Sequence, residues 1–266
     1  MTLNHYAKAS CVVCILACNF FGCITKDSHV DEPIFKGKRL SEWLNNFGYD
    51  GDLRTQAEIN RNEQAEGAIR SMGPNVLPHL LKAIQSNDST IRHQGMSALC
   101  AVGSNAAPAI PQLTFLLQDG RPQTARFAAV VLGCIGSEAT PALLKGFTNG
   151  NPELQSITLD ALAKNGAESS VAIPYLIAAL DHSATNLNER IISALGQIGS
   201  KPDKVVPLLI NYLEHSYYGY RFCAAEALKG FSDKAKPAIP LLRKMLNDEH
   251  AWVREAAAET LQGLRP

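Results

Sequence analysis

A repeat with a period of about 33 residues runs through most of this 266-residue chain. Six prolines mark it, at intervals of 33, 30, 33, 33 and 33 residues: Pro78, Pro111, Pro141, Pro174, Pro207 and Pro240. Seven leucine or isoleucine residues, which we call the ladder residues, keep nearly the same period: Ile69, Leu99, Leu132, Leu162, Leu195, Leu228 and Leu261. Two independent markers with one period predict a solenoid, in which each unit buries its apolar side only against its neighbours.

Each unit has the pattern of two helices. Small and apolar residues surround the ladder residue at spacings of three and four, which predicts a first helix with one apolar face. The aligned proline then begins a second helix. In five units a glycine is predicted to end the first helix, because a left-handed helix end has no steric penalty there: Gly73, Gly103, Gly136, Gly166 and Gly199. Ser232 takes this place in the sixth unit. Apolar residues make up 46% of the chain but aromatic residues only 7%, which also favours packed helices.

Two segments show a resemblance to a known family. Residues 253–261 and 125–136 resemble HEAT repeats, in particular the short bacterial repeats of phycocyanobilin lyases, and the likeness extends over about residues 56 to 264. It implies an all-α fold, a right-handed α-solenoid of about six HEAT repeats plus a terminal helix, which we assign to residues 51–266. The resemblance identifies a fold and leaves the activity open.

The resemblance also implies a role for a recurring arginine near the start of the first helix. In the family this arginine commonly bonds to an acidic or backbone group of a neighbouring unit. Gln155 departs from that pattern, and five residues match it: Arg92, Arg126, Arg190, Arg221 and Arg254. We therefore expect these five arginines to stabilise the array rather than to bind a ligand.

The N-terminus has the order of an export signal. Met1 to Lys8 is basic without an acid, and the apolar stretch from Ala9 to Gly22 is too short for a stable transmembrane helix. Residues 1–22 resemble a bacterial lipoprotein signal, whose cysteine becomes lipidated, and both Cys18 and Cys23 fit that place. Simple secretion is the alternative. We expect an exported protein of the periplasm or cell envelope, anchored to the membrane by lipid if one of these cysteines is modified.

Residues 23–50 are predicted to form a polar tether and a capping helix. Leu40, Trp43, Leu44 and Phe47 would form a stripe that covers the first unit of the array.

The seven cysteines do not have the pattern of a disulfide framework. Four lie near the N-terminus, and the Cys11-Val-Val-Cys14 spacing there has no second ligand pair that would favour zinc. Cys100, Cys134 and Cys223 stand beside alanine and leucine, so we expect three buried free thiols.

The sequence carries no familiar enzyme motif. It has no GxxxxGK phosphate loop, no HExxH zinc motif and no GxSxG nucleophile elbow. Deoxyhypusine hydroxylases resemble this fold and bind iron through His-Glu dipeptides, whereas Glu249-His250 has the reverse order. We therefore expect a non-enzymatic protein without metal or cofactor. The alternative is a bilin-lyase-like enzyme or enzyme accessory protein, against which the export signal stands.

The outward positions of the second helices are the first candidate for a binding surface. We expect the second helices to line the concave side, and eight residues there to contact a partner: Lys82, Phe115, Lys145, Tyr175, Asn211, Tyr212, Lys244 and Met245. Aromatic anchors with basic neighbours favour a protein or peptide of some acidic character. The alternative is an ordinary solenoid surface with scattered lysine and tyrosine. Equal numbers of basic and acidic residues, 25 of each, argue against a nucleic-acid partner.

A tyrosine-rich segment between two units is the second candidate. Tyr217, Tyr218 and Tyr220 are predicted to lie on a loop that grips a partner or a sugar, unless some of these rings only pack between the units. On the last helix, Glu255 and Glu259 are placed to keep the outer side soluble, so we expect a monomer.

Overall fold

The computed structural model describes residues 32–47, 55–180 and 185–264. A hairpin of two short strands, β1 (Ile34–Phe35) and β2 (Lys38–Arg39), opens this part of the chain and leads into helix α1 (Leu40–Leu44). The predicted signal, both candidate lipidation sites Cys18 and Cys23, and most of the tether lie outside the described residues. Within the described segments, no helix is both long enough and apolar enough to cross a bilayer.

Six helix pairs and a final helix follow α1, and we number the pairs as repeats 1 to 6. Their first helices are α2 (Gln56–Met72), α4 (Ser89–Val102), α6 (Pro122–Ile135), α8 (Pro152–Lys164), α10 (Thr185–Ile198) and α12 (Tyr218–Leu228). Their second helices are α3 (Leu77–Ala83), α5 (Ile110–Leu116), α7 (Thr140–Asn149), α9 (Ile173–Leu180), α11 (Pro202–Tyr212) and α13 (Ile239–Met245). The last helix is α14 (Ala251–Gly263). The predicted all-α solenoid is confirmed.

Most of the first helices end as the sequence predicts. Four of the six are followed directly by a glycine with a positive φ, of 67° at Gly73, 61° at Gly103, 95° at Gly136 and 60° at Gly199. In the other two the positive φ comes later, with 55° at Gly166 two residues after α8 and 46° at Ser232 four residues after α12. Short 3₁₀ segments follow in five repeats, and there the second helix begins one residue before the aligned proline. Repeat 5 differs, because Lys201 adopts a positive φ and Pro202 begins α11 five residues before the aligned Pro207.

The ladder residues form the centre of a continuous apolar core. Six of them are fully buried, with 0% of the side chain exposed: Ile69, Leu99, Leu132, Leu162, Leu195 and Leu228. Leu261 on α14 is only half-buried, because α14 packs against repeat 6 alone among the described elements. At the opposite end, Leu40, Trp43 and Phe47 are buried where α1 contacts α2 and α4.

The two helix layers are not equally spaced. Each first helix packs directly along the first helix of the next repeat, whereas the described second helices make much sparser contact with one another. The approach of the first helices is closest where glycine stands: a Cβ on Gly196 of α10 would lie 2.6 Å from the Cβ of Ala227 on α12. A two-layered array bends towards the layer whose helices are closer together. The first helices therefore form the inner row, and the prediction that the second helices line the concave side is wrong.

A disulfide joins two of the first helices. Cys100 on α4 and Cys134 on α6 are bonded, with their Cα atoms 5.1 Å apart. The expectation of three free thiols is therefore wrong for this pair. The two cysteines follow the ladder residues Leu99 and Leu132 closely, and the tight spacing of the inner row brings their positions within bonding distance. Cys223 stays free and half-buried, and burial raises the pKa of its thiol.

Candidate functional site

An open cleft of about 710 Å³ lies beside the end of α9, the start of α10 and the connection between α11 and α12. The junction of α9 and α10, the end of α11 and the start of α12 supply eight described lining residues: Leu180, Thr185, Asn188, Asn211, Tyr212, His215, Tyr217 and Tyr220. We call it the aromatic cleft. Its volume falls within the range of small-molecule sites, about 300 to 1,000 Å³.

Four rings form one wall of the aromatic cleft and hold one another in place. Tyr220 is central: its ring centroid lies 5.6 Å from that of Tyr212, 4.7 Å from that of His215 and 5.2 Å from that of Tyr217, all in edge-to-face contacts. Tyr212 also stacks on His215, with centroids 6.0 Å apart. Edge-to-face contacts add stability beyond the buried area, so this wall is preorganised.

Hydrogen bonds orient the polar groups around the rings. The Tyr217 backbone N–H donates to Nδ1 of His215 at 3.0 Å, which places the imidazole proton on Nε2. Nδ2 of Asn188 donates to the Tyr220 hydroxyl at 3.1 Å. The Tyr217 hydroxyl donates to Glu189, and this hydrogen bond raises the pKa of Tyr217. The cleft thus combines rings, amides and hydroxyls in fixed positions.

Gly219 at the start of α12 makes this arrangement sterically feasible. A Cβ at residue 219 would collide with Oε1 of Glu189 and would lie 2.6 Å from Cε1 of Tyr217. The absence of a side chain lets the Tyr217 ring and the Glu189 carboxylate approach each other across this point.

The structure unites part of the two predicted surfaces. Asn211 and Tyr212 from the second-helix set and Tyr217 and Tyr220 from the tyrosine segment line the same cleft. Five other predicted residues are exposed on second helices, with Phe115 74% and Tyr175 53% exposed: Lys82, Phe115, Lys145, Tyr175 and Lys244. They lie on the outer row of the array and are not among the described lining residues of the aromatic cleft.

Three predicted residues differ from expectation. Met245 is only 5% exposed, because the last turn of α13 points it into the core while Lys244 beside it faces outward. Tyr218 and Tyr220 lie in the first turn of α12 rather than on a loop, and Tyr220 is 8% exposed. Tyr218 stacks on His250 of the next connection, with centroids 4.2 Å apart, and does not line the cleft.

The recurring arginine falls into two groups. Arg92, Arg221 and Arg254 lie seven residues before their ladder leucines, and Nη1 of each donates to two carbonyl oxygens of the connection before its own helix at 2.7 to 3.0 Å. Arg190, five residues before Leu195, instead contacts Asp160 and the Ser156 carbonyl of the preceding repeat. Arg126 is exposed without a hydrogen bond among the described residues. The structural role therefore holds for four of the five.

Sequence reasoning missed Leu180, Thr185, Asn188 and His215 as cleft residues. One signal was available for Asn188, which lies seven residues before Leu195, at the place that arginine takes in repeats 2 and 6. No such signal marks Leu180 or Thr185, which line the cleft because the end of α9 and the start of α10 lie beside the connection before α12. In the described part of the chain, no three His, Cys, Asp or Glu side chains group so that they could hold a metal ion.

Comparison with known proteins gives repeat architectures. Solved structures similar to this chain include the complex of CpcE and CpcF of phycocyanin lyase from Nostoc sp. PCC7120, 22% identical, with a TM-score of 0.48, covering 58% of this chain and 98% of that one. A designed armadillo repeat protein in complex with the peptide (KR)4 is 17% identical, with a TM-score of 0.45, over 71% of this chain and 99% of its own. Kap121p is 16% identical, with a TM-score of 0.49, over 84% of this chain and 27% of its own. No curated protein matches the chain. Residues 173–262, which contain most of the aromatic cleft, match the family model for HEAT repeats.

Proposed function

We propose that this protein is an exported, non-catalytic scaffold that binds a protein or peptide partner of acidic character through its second helices. The observation that carries the proposal is a charge imbalance in a chain of net charge zero. The second helices hold five basic residues, all exposed, and one acidic residue, Asp203: the basic ones are Lys82, Lys145, Lys204, Arg243 and Lys244. Positive potential on one row steers an acidic partner towards it.

Two aromatic side chains provide anchors on the same row. Phe115 on α5 and Tyr175 on α9 are 74% and 53% exposed, two repeats apart, with Lys145 on the intervening α7. Burying such rings against a partner supplies much of the affinity in protein interfaces, while rim charges set orientation and association rate. The binding surface proposed here is the outer row of the array rather than its concave side.

The partner surface is testable by affinity capture from a cell-envelope fraction. We expect Phe115→Ala/Tyr175→Ala and Lys82→Glu/Lys145→Glu to lose the same partner that the unaltered protein captures, and we expect that capture to weaken with salt. Trp252→Ala is the matched control, because Trp252 is 65% exposed but lies on α14, outside the second helices. Capture that is unchanged in both double variants, or lost equally in the control, would contradict the proposal.

The disulfide supports the export part of the proposal. Structural disulfides persist in oxidising compartments and are rare in the cytosol, so the Cys100–Cys134 bond favours an exported scaffold over a cytoplasmic bilin-lyase-like protein. Labelling cells with radioactive palmitate tests the anchor. Label that disappears in Cys18→Ser or in Cys23→Ser identifies the lipidated cysteine, and secretion without label indicates the unanchored alternative.

A further inference from the structure

An arginine–aspartate bridge spans the edge of the array one repeat beyond the aromatic cleft. Arg221 donates through Nη1 to the carbonyls of His215 and Ser216 and through Nε and Nη2 to the carboxylate of Asp248, at 2.9 to 3.0 Å. The side chains of Arg221 and Asp248 are only 10% and 11% exposed. This bridge fills the space between two successive connections, before α12 and before α14.

Both members of the bridge are replaced at the aromatic cleft. Arg221 lies seven residues before Leu228, and the same place before Leu195 holds Asn188. Asp248 lies thirteen residues before Leu261, and the same place before Leu228 holds His215. An amide and an imidazole are shorter than the ion pair and do not span the gap. The aromatic cleft therefore stands where repeat 6 has its bridge.

A second groove also lies at a repeat without the bridging arginine. It measures about 420 Å³ and lies between the connections before α6 and before α8. Ala125, seven residues before Leu132, lines it and stands at the arginine position. Both grooves thus lie at a first helix without the bridging arginine, but the aromatic wall is present only at the first.

The lining of the aromatic cleft restricts the chemistry of its ligand. None of the described lining residues is an aspartate, glutamate, lysine or arginine, and Nδ1 of His215 accepts a hydrogen bond from the Tyr217 N–H. A hydrocarbon ligand would displace water from the amide, hydroxyl and imidazole groups and could not replace the hydrogen bonds that the water makes to them. The described lining therefore favours a ligand with apolar faces and many hydroxyl groups.

We propose that the aromatic cleft binds a neutral oligosaccharide. The C–H faces of the sugar rings pack on Tyr212 and Tyr217, and their hydroxyls bond to the Asn211 amide and to Nε2–H of His215. Asn211 and Tyr212 lie at the end of the second helix α11, but none of the residues substituted to test the outer-row surface lines the cleft. This site goes beyond a scaffold function, because it adds a glycan ligand at a fixed point of the array.

The first experiment is titration calorimetry with the purified protein and three neutral tetrasaccharides: maltotetraose, cellotetraose and N-acetylated chitotetraose. We expect saturable binding of at least one, weakened about tenfold or more by Tyr217→Ala, because one aromatic packing contact contributes about that factor. Tyr217 is 37% exposed, so its truncation leaves the core intact. The proposal is overturned if none of the three sugars binds, or if the cleft binds a neutral peptide in preference to all three sugars.

The second experiment restores the bridge. Asn188→Arg/His215→Asp reproduces the pair of repeat 6 and should abolish sugar binding while the helical circular dichroism and the melting temperature are retained or raised. Ala125→Arg is the matched control: it fills the second groove and should leave sugar binding unchanged. Sugar binding that persists in the refilled variant, or that is lost in the control, overturns the proposal.

The two proposals fail separately. The refilled variant should still capture the protein partner, and Phe115→Ala/Tyr175→Ala should still bind the sugar. A sugar that binds through the outer row instead would be lost in the latter variant and would contradict the assignment to the cleft.

Discussion

Ser232 holds a backbone conformation that the other five repeats give to glycine. Its φ of 46° and ψ of −131° belong to a region that residues with a Cβ rarely adopt. The surrounding 3₁₀ segment and the buried Phe231 and Ala235 beside it hold the chain in that shape. The folded protein therefore retains the backbone strain at Ser232.

Ser232→Gly should stabilise the protein. Glycine adopts this conformation without steric cost, so we expect the free energy of unfolding to rise by about 1 kcal/mol. Urea denaturation followed by circular dichroism measures the change. Ser232→Ala keeps the Cβ and should give no gain, and a glycine variant that is less stable than the parent would show that the serine side chain contributes more than its strain costs.

Gly196 should tolerate no side chain. The Cβ of Gly196→Ala would lie 2.6 Å from the Cβ of Ala227 and closer still to its Cα, in backbone that cannot yield easily. We expect a loss of about 1 to 3 kcal/mol in the free energy of unfolding. Gly67→Ala is the control in thermal denaturation: no atom lies within 4 Å of its added Cβ on α2, so it should stabilise by up to about 1 kcal/mol. Equal effects of the two substitutions would show that the inner row is loosely packed.

Single residues also mark the limit of what could be predicted. The positions of the ladder and of most helix ends follow from spacing alone, and the structure confirms them except at the start of α11 and the end of α12. Lys244 and Met245 were both expected to face outward, but neighbours on a helix differ by about 100° in direction, so only one of them does. Spacing measured from the proline could not decide between them.

The connections between repeats are the elements in which the repeats differ most. Three of the described connections accept hydrogen bonds from an arginine seven residues before the ladder residue: those before α4, α12 and α14. The predicted set was chosen by closeness to the helix start and not by the distance of seven residues from the ladder residue. It therefore included Arg126 and Arg190. Measured from the ladder, the sequence could have shown which connections lack the arginine, but not that tyrosines from two other elements would form a wall there.

The connection before α14 should respond to pH through Asp248. Burial alone would raise the pKa of Asp248, but hydrogen bonds from Arg221 and from the His250 N–H outweigh it and lower the pKa below its usual value. A carboxyl group with a lowered pKa stabilises the fold above its unfolded pKa of about 3.9, and that stabilisation is lost as the pH falls through the lower folded value.

We therefore expect Asp248→Asn to reduce the free energy of unfolding at neutral pH, and the difference from the parent to shrink below about pH 4. Urea denaturation over a series of pH values measures both. Asp160→Asn is the control, because Asp160 is 69% exposed in its pair with Arg190 and should contribute less than about 1 kcal/mol at any pH. A difference that stays constant as the pH falls would contradict the bridge.

The molecule as a whole is a chain of nearest-neighbour contacts with one covalent link. Its architecture could be predicted because every repeat reports the same period. Which of the two helix rows is the inner one could not be predicted, since this depends on how closely the helices approach at Gly196 and Ala227. Neither the positions of the prolines nor those of the ladder residues contain that information. The Cys100–Cys134 bond was missed for the same reason, because only the inner-row spacing brings residues 34 apart into contact.

Reduction of the disulfide should destabilise the array without changing its fold. The bond closes a loop of 34 residues, for which the chain-entropy effect is about 3 to 4 kcal/mol. Cys100→Ser/Cys134→Ser should lower the urea midpoint accordingly, while Cys223→Ser, at the free thiol, should change the free energy of unfolding by about 1 kcal/mol or less. Identical midpoints for the double variant and the parent would show that the bond adds nothing to stability.

In a linear array, local unfolding starts at an end and spreads one repeat at a time, since a repeat whose neighbour has unfolded has lost half of its packing contacts. The sulfur bridge between the second and third units acts as a stop for unravelling that starts at the capping helix. Unfolding that starts at the N-terminal end would therefore stop before it reaches the C-terminal repeats. The tyrosine wall would keep its shape while the N-terminal helices are frayed.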